Sequence, residues 1–182
     1  MATRTRATVE DLRAAGGGKA EIVNGELVPM SPTGDLPSSA AGVIYASLLS
    51  YARRTRSGRA YADNTGFIVT LPTRSSFSPD AAFHTGTRTG MKFLVGAPVF
   101  AVEVRSEGDY GARAEEEIAG KRADYFAAGT RVVWDVDLLA DTVVKVYRAS
   151  DPLTPTGYRR GEVAEAEPAL PDWRIAVDDL FE

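Results

Sequence analysis

Three segments between residues 77 and 137 decide the fold: SPDAAFH at 78–84, FAVEVRSEGD at 100–109 and EEEIAGKRADYFAAGTRVVWDVD at 115–137. Asp80 and Glu103 each occupy a strand-like position with apolar neighbours. A carboxylate in such a place is costly to bury unless a cation or a metal ion pairs with it. Lys121 follows in a segment with a helical pattern. The cost of burying the two acids is the first indication of a functional site.

Composition excludes several classes of protein. With 182 residues, 44% hydrophobic and 25% charged, the chain has ordinary globular composition and the length of one domain, residues 1–182. The absence of cysteine excludes disulfides and thiolate chemistry, and the single histidine, His84, argues against a zinc site. A Ser-His-Asp hydrolase would need His84 as its base. No apolar run approaches the roughly 20 residues of a membrane span, so a soluble cytoplasmic protein is expected.

The charge balance argues against a broad surface for nucleic acid. The net charge is −4 and the pI is about 5.2, whereas proteins that bind nucleic acid usually present a basic face. A local basic groove stays possible. The densest basic cluster is Arg53, Arg54, Arg56 and Arg59, which is more typical of a solvated helix end than of a phosphate contact.

The first third of the chain predicts a helix, a hairpin and a second helix. Thr8 resembles a helix N-cap, and the glycines at 16–18 would end that short helix. Two apolar runs around Asn24-Gly25 predict a hairpin over 20–30 with Glu21 on its first strand. Apolar spacing predicts the second helix over 38–56, after a loop at 31–37 and before Gly58.

The rest of the chain predicts a mixed sheet. One or two strands are expected at 61–71 and single strands at 77–83, 98–104, 131–137, 142–148 and 158–164, with a helix at 112–128 and a loop at 149–157. The pair 131–137 and 142–148 reads as a hairpin. Pro79 indicates an edge, a strand start or a bulge for the strand that contains Asp80. The expected class is α/β, a central mixed β-sheet flanked by α-helices.

The acids and the lysine have a chemical interpretation. Mg²⁺ prefers one or two carboxylates together with waters and phosphate oxygens, and Asp80 and Glu103 on adjacent strands could supply the carboxylates. Such an ion supports phosphodiester hydrolysis, with a lysine offsetting the phosphate charge and Glu21 completing the shell. Spacing alone leaves a second interpretation open, in which Asp80 lies at the surface beside a turn and Glu103 pairs with an arginine.

Motif order along the chain resembles the Uma2 family, a bacterial group described as putative restriction endonucleases with a PD-(D/E)XK nuclease-type fold. The resemblance covers most of the chain and begins with TVEDL at 8–12 and EIVNGELVPMSP at 21–32. It continues with SPD at 78–80 and VEVRS at 102–106, and it ends with Lys121, Tyr125, Gly129, Trp134, Val136 and Asp137. No single motif is specific, but their order is.

The resemblance implies a role for each candidate. Asp80 and Glu103 become the ligands of Mg²⁺ or Mn²⁺, Glu21 an auxiliary acid and DNA the partner. The usual lysine two residues after the glutamate is replaced by Arg105, which stays charged and cannot act as a base. In the family the lysine is thought to come from the following helix, which makes Lys121 the fourth catalytic candidate. Lys121 could equally form a surface pair with Glu117, one helical turn earlier.

Other features leave the activity open. Glu107 and Asp109 would add negative charge at the mouth of the site, and strand alternation puts His84 on the same face as Asp80. A catalytically degenerate binding or regulatory module is the competing hypothesis, favoured by the acidic pI and by Arg105. Hydrolysis of RNA or of another phosphoester is a third. Nucleases of this type commonly dimerise, so a homodimer is one expected state.

Overall fold

A computed structural model describes residues 6–15 and 18–182. Over these residues the α-helices are α1 (Val9–Ala14), α2 (Asp35–Thr55) and α3 (Ala112–Ala127), and a 3₁₀-helix covers Val177–Phe181. The strands are β1 (Ala20–Val23), β2 (Glu26–Pro29), β3 (Arg59–Ala62), β4 (Phe67–Ile68), β5 (Ser76–Phe77), β6 (Ala81–His84), β7 (Leu94–Val95), β8 (Phe100–Val104), β9 (Val132–Val136), β10 (Val144–Arg148), β11 (Asp151–Tyr158), β12 (Val163–Glu165) and β13 (Arg174–Ala176).

A six-stranded mixed sheet forms the centre of the molecule, in the order β11-β10-β9-β8-β6-β3. β8 and β9 run parallel and are joined through α3, whereas the other neighbouring pairs are antiparallel. Two short hairpins, β1-β2 and β12-β13, and the three-stranded sheet β5-β4-β7 lie outside it. The α/β class with a mixed central sheet, expected from the sequence, is confirmed.

The two faces of the sheet bury different sets of side chains. Strand alternation sends Val102 and Trp134 toward α2 and the C-terminal segment, where Ile44, Leu48 and Leu180 pack. The opposite face carries smaller apolar residues at Ala82, Ala101 and Val133, which pack with Phe67, Phe77 and Tyr125. Because Glu103 alternates with Val102 and Val104, it belongs to this second face, beneath α3.

The predicted N-terminal elements are present with shifted ends. Thr8 caps α1, whose last residue is Ala14; of the glycines expected to end it, Gly16 and Gly17 lie outside the described residues. The hairpin β1-β2 turns at Asn24 and Gly25, both with the positive φ that such a turn requires. Helix α2 begins at Asp35 rather than at residue 38, because Pro37 is tolerated in a first helical turn.

Three strand predictions need correction. The run 77–83 is two strands, β5 and β6, separated by Ser78-Pro79-Asp80, so Asp80 directly precedes a strand instead of lying within one. The loop expected at 149–157 is wrong: β11 occupies it, and its two prolines are tolerated because β11 is an edge strand. Of the strand expected at 158–164, only the end belongs to β12.

The ends of the predicted elements in the second half agree well. The strand at 98–104 is β8, the helix at 112–128 is α3, and 131–137 with 142–148 form the hairpin β9-β10. Within residues 6–15 and 18–182, no helix has both the length and the apolar character that a membrane span needs.

Candidate active site

Asp80 and Glu103 lie at the same end of two neighbouring strands. β6 pairs with β8 in a register that matches Ala81 with Val102; Asp80 directly precedes Ala81, and Glu103 directly follows Val102. The Asp80 amide donates to the Val102 carbonyl at 3.0 Å, one residue away from the register of the paired strands. The two groups are close enough for the negative charge of Asp80 to raise the pKa of Glu103. The two carboxylates therefore meet at one end of the strands, beneath α3.

Asp80 is held by one backbone donor and one lysine. The amide of Val104 donates to Oδ2 at 2.7 Å, and the ammonium of Lys19 donates to Oδ1 at 2.6 Å. Only 12% of the Asp80 side chain is exposed. The amide bond fixes the orientation of the carboxylate, while the lysine compensates its charge.

Glu103 receives its hydrogen bonds from α3. Lys121 Nζ donates to Oε2 at 2.7 Å, and the hydroxyl of Tyr125 donates to Oε1 at 2.6 Å. Burial raises the pKa of Glu103 to about 7; the charges of Asp80 and Glu21 add to this, and Lys121 opposes them. Glu103 is therefore the acid of this group whose charge burial disfavours most clearly.

Glu21 is the most buried acid of the group, with 2% of its side chain exposed. The Ser78 amide donates to Oε1 at 2.7 Å, Lys121 Nζ lies 3.0 Å from the same oxygen, and Arg74 donates to Oε2. Although burial raises the pKa of Glu21, Lys121 and Arg74 hold that pKa below its usual value. Glu21 thus stays ionised, and it anchors both the turn before Asp80 and the ammonium of Lys121.

Lys121 lies between two acids, and Glu117 is not one of them. Glu117 accepts a hydrogen bond from Arg113 at 2.8 Å on the exposed side of α3, whereas Lys121 points at Glu103 and Glu21. Burial lowers the pKa of Lys121, but the charges of the two acids outweigh it and raise that pKa above its usual value. Lys121 therefore remains a cation, suited to electrostatic stabilisation and not to accepting a proton.

Arg105 occupies the position at which the common motif has lysine, and its hydrogen bonds hold elements of the fold together. Its guanidinium donates to both oxygens of Asp135 at 2.8 Å and also binds Glu115 at the start of α3. Asp135 and Arg105 are both almost fully buried. This bidentate pair fastens α3 to the sheet beside the site, and it leaves Lys121 to reach Glu103.

Two direct partners of Asp80 and Glu103 were not chosen as site residues from the sequence. Lys19 contacts Asp80. It directly precedes β1 and is two residues before Glu21, so the alternation of side chains along a strand puts both on one face. Tyr125, which the sequence offered only as one residue of the family pattern, is fully buried and stacked on Phe77, and its hydroxyl donates to Glu103. Its spacing of four from Lys121 on a helix was the available signal.

His84 lies away from the carboxylates. It shares a face with Asp80, but it is four residues further along the strand, about 13 Å away. Its ring is buried against Tyr61 and Phe67, with 4% of the residue exposed, so it is neither a surface residue nor a member of this site.

The acidic loop after β8 and the basic end of α2 lie outside the group of side chains that hydrogen-bond to Asp80 and Glu103. Asp109 Oδ2 accepts from the Ser106 amide at 2.7 Å and closes the turn after β8, while Glu107 is exposed. Arg53, Arg54 and Arg56 are exposed at the end of α2, as a solvated helix end predicts.

The acidic side chains of the site match what a divalent cation such as Mg²⁺ needs in number and kind. The described part of the chain holds no group of three or more His, Cys, Asp or Glu side chains arranged around one point. Two hard carboxylates are nevertheless the number with which proteins commonly bind Mg²⁺, the remaining ligands being water and phosphate oxygens. The ion pairs around them link five acids, Glu21, Asp63, Asp80, Glu103 and Asp124, to three cations, Lys19, Arg74 and Lys121. With all eight ionised, two negative charges remain, which a divalent cation would neutralise.

Comparison with known proteins agrees with this architecture. The sequence profile of one family, described as "Uma2: Putative restriction endonuclease", matches residues 7–178. The fold is similar to that of a crystal structure described as a putative nuclease belonging to DUF820 from Anabaena variabilis ATCC 29413. The TM-score is 0.74 at 16% identity, with 96% of this chain and 97% of the other covered. No curated protein matches the chain.

Proposed function

Because this chain belongs to the Uma2 family of putative restriction endonucleases, we propose that it is a metal-dependent endonuclease that hydrolyses phosphodiester bonds in DNA. The observation that carries the proposal is the meeting of Asp80 and Glu103 across β6 and β8, with Lys121 2.7 Å from Glu103. Few structural purposes explain two partly buried acids at adjacent strand ends with lysines directed at them.

Asp80 and Glu103 are the residues that would hold Mg²⁺ or Mn²⁺. When bound, the ion supplies a water of lowered pKa and neutralises charge that develops on the phosphate. The Val104 amide orients Asp80, and Tyr125 orients Glu103. A proton on Glu103 has to leave before that carboxylate can bind a cation, so metal affinity should rise with pH around neutrality.

Lys121 has the electrostatic role in this proposal. Its pKa is raised by Glu103 and Glu21, so it presents a permanent positive charge toward the attacking water and the phosphate. Glu21 contributes by holding that ammonium in place from the buried side. Lys121 thereby takes the place in the site that Arg105, committed to Asp135, does not fill.

A cleavage assay tests the proposal. Supercoiled plasmid, single-stranded DNA and RNA are incubated with Mg²⁺ or Mn²⁺ and with wild type, Asp80→Ala, Glu103→Ala or the exposed control Glu117→Gln. DNA cleavage is expected for wild type and the control, reduced about 100-fold or more in the two site variants. Cleavage that survives both substitutions would overturn the metal mechanism, and cleavage of RNA alone would overturn the substrate.

A second candidate function is a nuclease-fold binding module without hydrolysis. It is favoured by the lysines already paired with both carboxylates, and by the absence of the lysine two residues after Glu103. In that case DNA binding persists while no metal supports cleavage. The homodimer expected from the resemblance and the cytoplasmic location expected from the lack of a long apolar run also stay predictions, for sedimentation and cell fractionation to test.

A further inference from the structure

Lys19 bridges two carboxylates at the edge of the site. Its ammonium lies 2.6 Å from Asp80 Oδ1 and 2.6 Å from Asp63 Oδ1. The side chains differ in exposure, with 13% for Lys19, 12% for Asp80 and 44% for Asp63. Lys19 therefore stands between the interior of the site and solvent, with one partner on each side.

The two oxygens of Asp80 are bound differently. Oδ2 accepts from the Val104 amide, a backbone donor within the sheet that cannot move without disturbing β8. Oδ1 accepts from Lys19, a side chain on four rotatable bonds. A cation that approaches Asp80 meets the least resistance at Oδ1, because only a side chain has to leave.

We propose that Lys19 is a displaceable counter-ion of Asp80, which competes with a divalent cation for Oδ1 and is received by Asp63 when the cation binds. This inference rests on the proposed function, since it concerns the same carboxylate. It makes Lys19 a positioning residue: in the metal-free protein it compensates a partly buried charge, and it sets how tightly the site binds metal.

Lys121, the other lysine of the site, also contacts two carboxylates, but its second partner lies in the interior and not toward solvent. Lys121 bridges Glu103 and Glu21, but Glu21 is buried on the inner side, whereas Asp63 lies toward solvent. Each candidate metal ligand is thus paired with a lysine that has a second carboxylate within reach. Lys19 can leave Asp80 and still keep its contact with Asp63. A metal ion can then take the place of the Lys19 ammonium at Asp80.

The proposal predicts effects of opposite sign for two substitutions. Lys19→Met keeps the apolar stem but removes the competing charge, so the affinity for Mn²⁺ measured by isothermal titration calorimetry should rise by about three- to tenfold. Asp63→Asn removes the group that receives Lys19, so the affinity should fall by a similar factor. The melting temperature without metal should also fall in Lys19→Met, because Asp80 loses its partner.

Charge-matched controls separate this from a general electrostatic change. Arg113→Met removes one exposed positive charge from the surface of α3, and Glu117→Gln removes the exposed acid with which Arg113 pairs. Both should leave the affinity for Mn²⁺ within twofold of wild type, because surface charges outside the site are well screened.

The outcomes distinguish the inference from the function on which it rests. If wild type binds Mn²⁺ and Glu103→Gln does not, the metal site stands. An unchanged or weaker affinity in Lys19→Met then overturns the displacement of Lys19 alone. If Lys19→Met does not fold, Asp63→Asn decides, and an affinity equal to wild type overturns the inference. Absence of Mn²⁺ binding by wild type overturns both.

Discussion

Lys121 Nζ lies 2.7 Å from Glu103 Oε2, although the two residues belong to different elements and are eighteen positions apart in the chain. Glu103 is the next-to-last residue of the buried strand β8, and Lys121 is on the helix that leads from that strand to its parallel neighbour. The crossover therefore returns a cation to the carboxylate that the preceding strand presents. This connection supplies the lysine that the strand itself lacks.

Removing Lys121 should lower stability and activity together. Lys121→Met leaves Glu103 and the buried Glu21 with one cation fewer, and breaking a buried pair from one side costs about 3–5 kcal/mol. Since 24% of the Glu103 side chain is exposed, we expect a smaller loss, about 2–3 kcal/mol. Urea unfolding measures the loss, with Arg113→Met as the exposed control, and cleavage should fall about 100-fold or more. A variant as stable as wild type would contradict the observed pairing.

Arg105→Lys tests whether the common motif can be restored at this position. The substitution recreates a lysine two residues after Glu103, but a single ammonium cannot replace the bidentate contact with Asp135 and the bond to Glu115. We expect no gain in cleavage and a loss of about 2–3 kcal/mol in the free energy of unfolding. Higher cleavage at unchanged stability would show that residue 105 faces the reacting phosphate.

The single histidine should make stability depend on pH. Burial lowers the pKa of His84 below its usual value of about 6.5. A depressed pKa means that the unfolded chain binds the proton more tightly, so this contribution to stability is complete above pH 6.5. It is lost as the pH falls from there through the folded-state pKa.

Two measurements check the histidine prediction. Since the chain has one histidine, its ring proton resonances titrate without overlap in NMR spectra and give the pKa directly. The free energy of unfolding between pH 8 and pH 5 should fall more steeply for wild type than for His84→Phe. A folded-state pKa at or above 6.5, or parallel curves for the two proteins, would contradict the stated burial effect.

Regular patterns in the sequence predicted most of the central sheet. β8, α3 and the β9-β10 hairpin have strong apolar periodicity or clear end signals, and their predicted bounds agree with the structure to within two residues. The edge strand β11 was missed because its prolines and threonines resemble a loop, and only pairing with β10 makes it a strand. Tertiary pairing of that kind leaves little trace in a local pattern.

The candidate site divides in the same way. Asp80, Glu103, Glu21 and Lys121 could be chosen from the sequence, and the structure brings all four together. Lys19 could not be predicted in this way, because its partners Asp63 and Asp80 are 44 and 61 positions away and no local sequence pattern connects them. Arg105 showed only that a lysine was missing, while its engagement with Asp135 depends on the parallel pairing of β8 with β9.

The central proposal, that Asp80 and Glu103 share one divalent cation, is tested most directly by titrating Mn²⁺ into wild type, Asp80→Asn and Glu103→Gln in a calorimeter. These isosteric changes keep the shape of each side chain and remove one charge. We predict one Mn²⁺ site in wild type. In each single variant, Mn²⁺ should bind at least about tenfold more weakly. Equal Mn²⁺ affinity in all three proteins would contradict the shared site and the metal-dependent function built on it.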